Sequence, residues 1–286
     1  DDEILILIQE IDMLSRKNTF LPIFILKTIV KIFQSLRSNP EINNERGVSV
    51  RSTIHSLEIM IGEVEVIRSI INNVITIPRL SDIYCIFQSS KFELDEIEDT
   101  TENKIKFLNN TIIETIKEIC KEYFEKLINA EELLSIKNEF KGKSFTVLQN
   151  QYQNNHHHNQ LEQQQYLNKP FTSHLKNSDG NASIPQTNRV LLYSEQLKQF
   201  PFTKKIVKKA IDKIEEEQTE YIKKAQKNNI STNLEYLDYN NQPRDEEFGK
   251  QEETLATIME LFLEYLRFSN PPLLDRKENK FEYTEI

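Results

Sequence analysis

Apolar residues recur at the three- to four-residue spacing of an α-helix along most of this 286-residue chain, and this periodicity limits the folds open to it. Residues 2–15, Leu21–Leu36 and Leu255–Phe268 show the pattern, and Lys106–Asn129 shows it most strongly. In that last segment the apolar side chains make one broad face: Phe107, Leu108, Ile112, Ile113, Ile116, Ile119, Cys120, Phe124 and Leu127. Only five residues are glycine, whereas residues that favour helix are abundant. The sequence predicts an all-α protein.

Charge and cysteine content exclude several classes of protein. The net charge of -9 and pI of about 5.3 argue against binding to nucleic acid or to an anionic membrane, which requires a basic surface. Two cysteines, Cys85 and Cys120, are too few for a disulfide framework and indicate a reducing compartment. The most apolar stretch, Phe20–Phe33, contains two lysines and is too short to cross a bilayer. With no basic segment of a signal peptide ahead of an apolar run, we expect a cytoplasmic protein.

One long segment has the composition of a disordered insert. Twelve of the twenty residues in Gln149–Asn168 are Asn or Gln, and such a segment cannot form an apolar core. His156, His157 and His158 lie inside it, but consecutive histidines lack the spacing of a metal site. We therefore predict disorder over 149–189 and no metal site.

The periodic segments and the breaks between them predict four regions. The first, 1–92, is a small helical domain, and 93–148 is a helical extension that begins with an acidic linker. The disordered insert of 149–189 follows. The last region, 190–286, is helical with a charged insert at about 216–252.

Motifs of known chemistry are absent or incomplete in the sequence. Gly142-Lys143-Ser144 resembles the end of a phosphate-binding P-loop, but Lys137 stands where that loop requires glycine. Asp179–Ser183 resembles an Asp-x-Ser-x-Ser metal loop, but its third residue is Asn181 and no acidic residue closes a calcium-binding EF-hand. A lone histidine, His55, is expected to be packed rather than to bind metal. There is no Ser-His-Asp, Cys-His or HExxH pattern to suggest an active site.

The stretch from Asn43 to Thr53 is the one place with a candidate chemical role. Gly47 provides a tight turn and Ser49 is a suitable N-cap, so a helix is expected from about Val50. Arg51 then lies in the first turn, where the helix dipole disfavours a cation unless an anion binds there as well. A solvated surface arginine is the alternative interpretation.

The same residues resemble a known family. Asn44–Arg51, followed by a helix with Ile54, Leu57 and Glu58, resembles the second-sensor region of magnesium-chelatase-like and MoxR-like AAA+ ATPases. Pro78–Tyr84 resembles a segment that follows in those proteins, and Leu261–Tyr283 resembles their helical ending. The resemblance covers about residues 20–90 well and the rest weakly.

This resemblance implies a small AAA+ lid-type helical bundle followed by a helical C-terminal region. In such a lid Arg51 is the catalytic residue and reaches the terminal phosphates of ATP, and Arg51, Gly47 and Ser49 form the nucleotide-binding turn. The Walker A and Walker B motifs and the first sensor would precede Asp1, so ATP and Mg²⁺ would be held by an upstream core and the chain alone would not hydrolyse ATP. Expected partners are that core or neighbouring subunits of a homo-oligomeric ring.

The family function would be the coupling of ATP binding and hydrolysis to remodelling of a protein partner or to metal insertion. The alternative is a non-catalytic helical protein-interaction module that retains the lid fold. Nucleotide binding distinguishes the two.

Overall fold

The computed structural model describes residues 2–11, 19–42, 48–66, 76–88, 92–94, 100–147, 193–238, 247–277 and 280–284. Of the residues that can be interpreted, 72% are helical, which confirms the predicted helical character. The predicted disordered insert at 149–189, with its three histidines, lies outside the described residues. The α-helices are α1 (Asp2–Glu10), α2 (Ile23–Ser38), α3 (Val50–Val64), α4 (Thr101–Phe124), α5 (Ala130–Phe140), α6 (Tyr193–Gln196), α7 (Pro201–Lys227) and α8 (Glu247–Arg267). Three 3-10 helices span Leu80–Gln88, Leu197–Gln199 and Leu234–Tyr236, and the first is called here the central 3-10 helix.

Local sequence signals explain where several helices begin. The Thr100 side chain accepts a hydrogen bond from the backbone N–H of Asn103 and caps α4. Asn129 and Glu132 form a capping box at the start of α5, in which each side chain accepts from the backbone N–H of the other. Pro201 stands at the first position of α7, where its missing N–H costs no hydrogen bond. Pro201 therefore marks the start of α7 after the 3-10 helix Leu197–Gln199.

Helix α7 extends into the predicted charged insert at about 216–252. The helix runs to Lys227, although charged and amide residues dominate beyond Glu215. It does so because a narrow stripe at helical spacing is buried: Ala210, Ile214, Gln218, Tyr221 and Ala225. The stripe includes a glutamine and a tyrosine, so a count of apolar residues underestimates the length of the buried face.

A small antiparallel sheet accompanies the helices and departs from the all-α prediction. Strands β1 (Ser144–Thr146), β2 (Leu274–Lys277) and β3 (Lys280–Tyr283) pair in the order β1-β3-β2. Phe145 lies opposite Phe281, and both side chains are fully buried. Strands β2 and β3 lie in the region 190–286, which the sequence predicts to be helical, and strands this short carry too little periodicity to be recognised from the sequence.

Nearly all of the described buried apolar residues form one contiguous cluster that reaches from Ile4 to Phe281, and Phe20 and Ile77 form a small separate one. Helix α4 lies near its middle: Tyr123 packs edge-on against Phe24 of α2, and Phe124 packs against Phe262 of α8. The regions 1–92, 93–148 and 190–286 all contribute to this core. The proposed boundaries between these regions stay a prediction.

Polar side chains from α7 and its following turn bind the backbone of the first helices. The Gln218 carboxamide accepts from the backbone N–H of Ile23 at 2.6 Å and donates to the Leu21 carbonyl at 3.0 Å. The Asn233 amide donates to the carbonyls of Ile8 at 2.8 Å and Ile11 at 2.7 Å. These bonds satisfy backbone groups at the end of α1 and the start of α2.

Within the ranges that the structure describes, no helix is both long enough and apolar enough to span a membrane.

The fold predicts a strong contrast between two phenylalanines. Phe262→Ala should lower the free energy of unfolding by about 3–5 kcal/mol, because it empties a fully buried site against Phe124. Phe202→Ala is the matched control, since this side chain is 49% exposed, and should cost less than about 1 kcal/mol. Urea unfolding followed by circular dichroism measures both, and equal losses would contradict the described core.

Candidate functional site

The predicted turn before α3 has the expected helix start. Helix α3 begins at Val50, and the Ser49 side chain accepts from the backbone N–H of Ser52 at 3.3 Å. Both the predicted start and the predicted N-cap are confirmed. Val48, just before the cap, is buried in the core cluster.

Arg51 lies in the first turn of α3 with an exposed side chain. That turn contains no acidic residue, and none of the described acidic side chains forms an ion pair with Arg51. The structure therefore brings Ser49 and Arg51 together at one helix terminus. Gly47, the third predicted residue of this site, lies outside the described residues.

A second arginine lies close to the same terminus but is neutralised. Arg37, in the last turn of α2, donates from Nη2 to both carboxylate oxygens of Glu3 at 2.6 Å. Its Nη1 also donates to the hydroxyl of Thr53, which is fully buried in α3, at 3.3 Å. This network joins α1, α2 and α3. The Arg37–Glu3 ion pair is not predictable from the sequence because the two residues are 34 positions apart.

The charge distribution around Arg51 suits an anion. The first backbone N–H groups of a helix lack intrahelical acceptors and point outward, and a guanidinium beside them adds a full positive charge. Together they suit a phosphate oxygen. The hydroxyls of Ser49 and Ser52 lie 3.2 Å apart, with no histidine or cysteine between them to activate either one.

His55 is exposed rather than packed, so that expectation is wrong. Its Nδ1 lies 4.0 Å from a carboxylate oxygen of Glu58, one turn further along α3. Throughout the described part of the chain, no group of three or more His, Cys, Asp and Glu side chains is arranged to hold a metal ion.

Among the described charged side chains, Arg79 is the most deeply buried, and it lies just before the central 3-10 helix. Its side chain is 1% exposed and donates from Nη2 to both oxygens of Glu253, at 2.9 and 3.0 Å. Glu260 lies 3.6 Å from Nη1 and also accepts from the Ser81 hydroxyl at 2.8 Å. The backbone N–H of Arg79 donates to Asp82 at 2.7 Å. The cluster fastens the central 3-10 helix to α8.

The surroundings keep the Arg79 guanidinium charged. Burial alone would lower its pKa, but the nearby carboxylates, Glu253 first among the charges, raise it above its ordinary value. Burial also raises the pKa of Glu260, although the Arg79 charge opposes this. Arg79 lies in the Pro78–Tyr84 segment that carries part of the family resemblance. Its structural role is not predictable from the sequence because Glu253 lies 174 positions away.

Comparisons with models of known protein families, with curated proteins and with solved structures found no match.

Substitution of Arg79 and of Arg51 should have very different effects on the free energy of unfolding. Arg79→Ala should lower the free energy of unfolding by about 3–5 kcal/mol, because it removes the cation that faces the buried Glu260 and the partly buried Glu253. Arg51→Ala, which removes an exposed side chain, should change it by less than about 0.5 kcal/mol. Chemical denaturation at neutral pH measures both values. A large loss in Arg51→Ala would assign that residue a structural role instead of a binding role.

Proposed function

We propose that this chain is the C-terminal lid portion of a magnesium-chelatase-like AAA+ ATPase, with a small lid-type helical bundle that presents Arg51 to the terminal phosphates of ATP. The Walker A and Walker B groups that hold ATP and Mg²⁺ belong to a motor core upstream of this sequence. The lid couples ATP binding and hydrolysis to remodelling of a protein partner or to metal insertion.

The observation that carries this proposal is the state of Arg51. Its charge sits at a capped helix N-terminus with no ion-pair partner among the described acidic side chains, whereas the neighbouring Arg37 is neutralised by Glu3. The partial positive charge of the helix N-terminus and the positive charge of the guanidinium repel each other, and a bound anion would offset this repulsion. A phosphate group, with its several acceptor oxygens, fits this environment.

The proposed assembly is a homo-oligomeric ring in which the lid contacts its own motor core or that of a neighbouring subunit. The proposed location is the cytoplasm, with no nucleic acid or membrane as partner. Cys85 and Cys120 are both buried free thiols, which suits a reducing compartment.

A helical protein-interaction module is the second candidate, and exposed apolar surface on α5 favours it. Leu134 is 59% exposed and borders a cavity of about 260 Å³ between α5 and the Ser269–Leu273 turn. The leucine and the cavity together form an apolar surface that another protein would cover. This candidate requires no nucleotide.

In the full ATPase that carries the motor core, Arg51→Ala should reduce ATP turnover at least about tenfold, or about 1.4 kcal/mol of transition-state stabilisation. The reason is that the guanidinium would no longer balance charge that builds up on the terminal phosphate. A steady-state ATPase assay measures the effect. Lys121→Ala, which removes an exposed cation from α4, is the matched control and should leave turnover unchanged.

Two outcomes would contradict the proposal. Unchanged turnover in Arg51→Ala would remove the sensor role, provided that the wild-type ATPase is active. A full-length protein that neither binds nor hydrolyses ATP would instead support the interaction module.

A further inference from the structure

A cavity of about 340 Å³ opens between α7, α8 and the segment that leads into α2. Apolar side chains make up much of its wall, with Phe20 and Ile77 on one side and Ile211, Ile222 and Ile258 on the two helices. This volume falls at the lower end of the range for small-molecule sites. The cavity can therefore hold an apolar group about as large as an aromatic ring.

The uncharged polar side chains that line this cavity form two pairs with different bonding. Gln218 and Thr219 of α7 are engaged, because the Gln218 carboxamide binds the backbone at the start of α2 and the Thr219 hydroxyl donates to the carbonyl four residues earlier. Thr254 and Thr257 of α8 are at least nine-tenths buried, and neither hydroxyl has a hydrogen-bond partner within the described structure. A buried polar group without a partner is unusual in a folded protein, so these two hydroxyls indicate a place for a further polar group.

The two unpaired hydroxyls can bind the same ligand atom. Thr254 and Thr257 are three residues apart and are therefore neighbours on one face of α8. Rotation about χ1 exchanges the methyl and hydroxyl groups of a threonine, so both hydroxyls can turn toward one oxygen. A carbonyl oxygen has two lone pairs and can accept a hydrogen bond from each hydroxyl.

The charges around the cavity disfavour an ionised ligand. No lysine or arginine is among the described residues that line it, whereas the exposed Asp212 and Glu216 do. A carboxylate or phosphate would find no opposite charge here and would be repelled by these two side chains. An ammonium group beside the threonines would lose its water among isoleucine side chains, which is also costly. A neutral carbonyl group carries neither penalty.

We propose that this cavity binds a small neutral carbonyl compound whose apolar body is about the size of a phenyl ring. The carbonyl oxygen accepts hydrogen bonds from Thr254 and Thr257, and the apolar body lies against Ile211, Ile222 and Ile258. The site does not involve Arg51 and does not depend on the proposed ATPase function.

Three planar probes of nearly equal shape test the chemistry: acetophenone, α-methylstyrene, which carries a methylene group in place of the carbonyl oxygen, and benzoate. Titration of the full chain, followed by ligand-observed NMR, should show saturable binding of acetophenone and at least about tenfold weaker binding of benzoate. If acetophenone shows no saturable binding at millimolar concentration, the cavity holds water only and the proposal fails. Benzoate binding as tight as that of acetophenone would overturn it as well.

Replacement of the two hydroxyls by methyl groups tests the location. Thr254→Val combined with Thr257→Val should weaken acetophenone binding at least about fivefold, as expected for the loss of a hydrogen bond, and should not weaken α-methylstyrene binding. Each probe is compared with itself, so the difference in hydrophobicity between the probes does not enter. Thr115→Val is the matched control, because this buried hydroxyl donates to the Thr111 carbonyl and Thr115 does not line the cavity.

Unfolding of the ligand-free variants gives a readout that needs no ligand. Because the hydroxyls of Thr254 and Thr257 lack partners, the double valine variant should unfold at a urea concentration equal to or higher than that of wild type, whereas Thr115→Val should unfold at a lower one. Circular dichroism should show equal helicity in all variants. Unchanged acetophenone binding in the double variant, or an equal loss of acetophenone and α-methylstyrene binding, would overturn the proposal.

Discussion

The first two helices depend on hydrogen bonds from side chains that lie roughly two hundred positions further along the chain. Gln218 satisfies the backbone at Leu21 and Ile23, and Asn233 satisfies the carbonyls of Ile8 and Ile11. The backbone N–H of Leu21 also donates to the Tyr236 carbonyl at 3.0 Å. Buried backbone groups without partners are costly, so α1 and α2 gain their native ends only when α7 and the turn after it are in place. The N-terminal helices and α7 therefore fold as parts of one cooperative unit.

The buried charge of Arg79 imposes a second constraint of the same kind on α8. An arginine removed from water is tolerated only where carboxylates face it, and Glu253 and Glu260 come from one side of α8, seven positions apart. A rotation of α8 or a shift along its axis would separate the guanidinium from both. Hydrophobic contacts alone tolerate such shifts more readily, because they are not directional. The ion pairs thus fix the position of α8 against the central 3-10 helix.

Local patterns in the sequence predict the helices well because their causes are local. The start of α3 follows from Ser49, and the structure confirms it. The β-sheet and the buried partners of Arg79 are not predictable in this way, because each depends on residues far apart in sequence. At the candidate site the helix start and Arg51 are predictable, whereas the neighbouring Arg37–Glu3 pair is not. The full length of α7 is hard to predict for a local reason. Its buried stripe includes polar residues, so the apolar positions alone do not show the helical spacing.

The packing of α3 limits how a phosphate bound at Arg51 would act under the proposed function. One side of α3 is buried in the common core through Leu57, Met60 and Ile61, which contact the same cluster as α2 and the central 3-10 helix. Close-packed interiors resist the sliding of one helix past its neighbours. A displacement of Arg51 on phosphate binding would therefore move α3 together with the helices packed against it, rather than α3 alone. Arg79 continues that connection to α8, so the nucleotide state would reach the C-terminal helix through a rigid path of side chains.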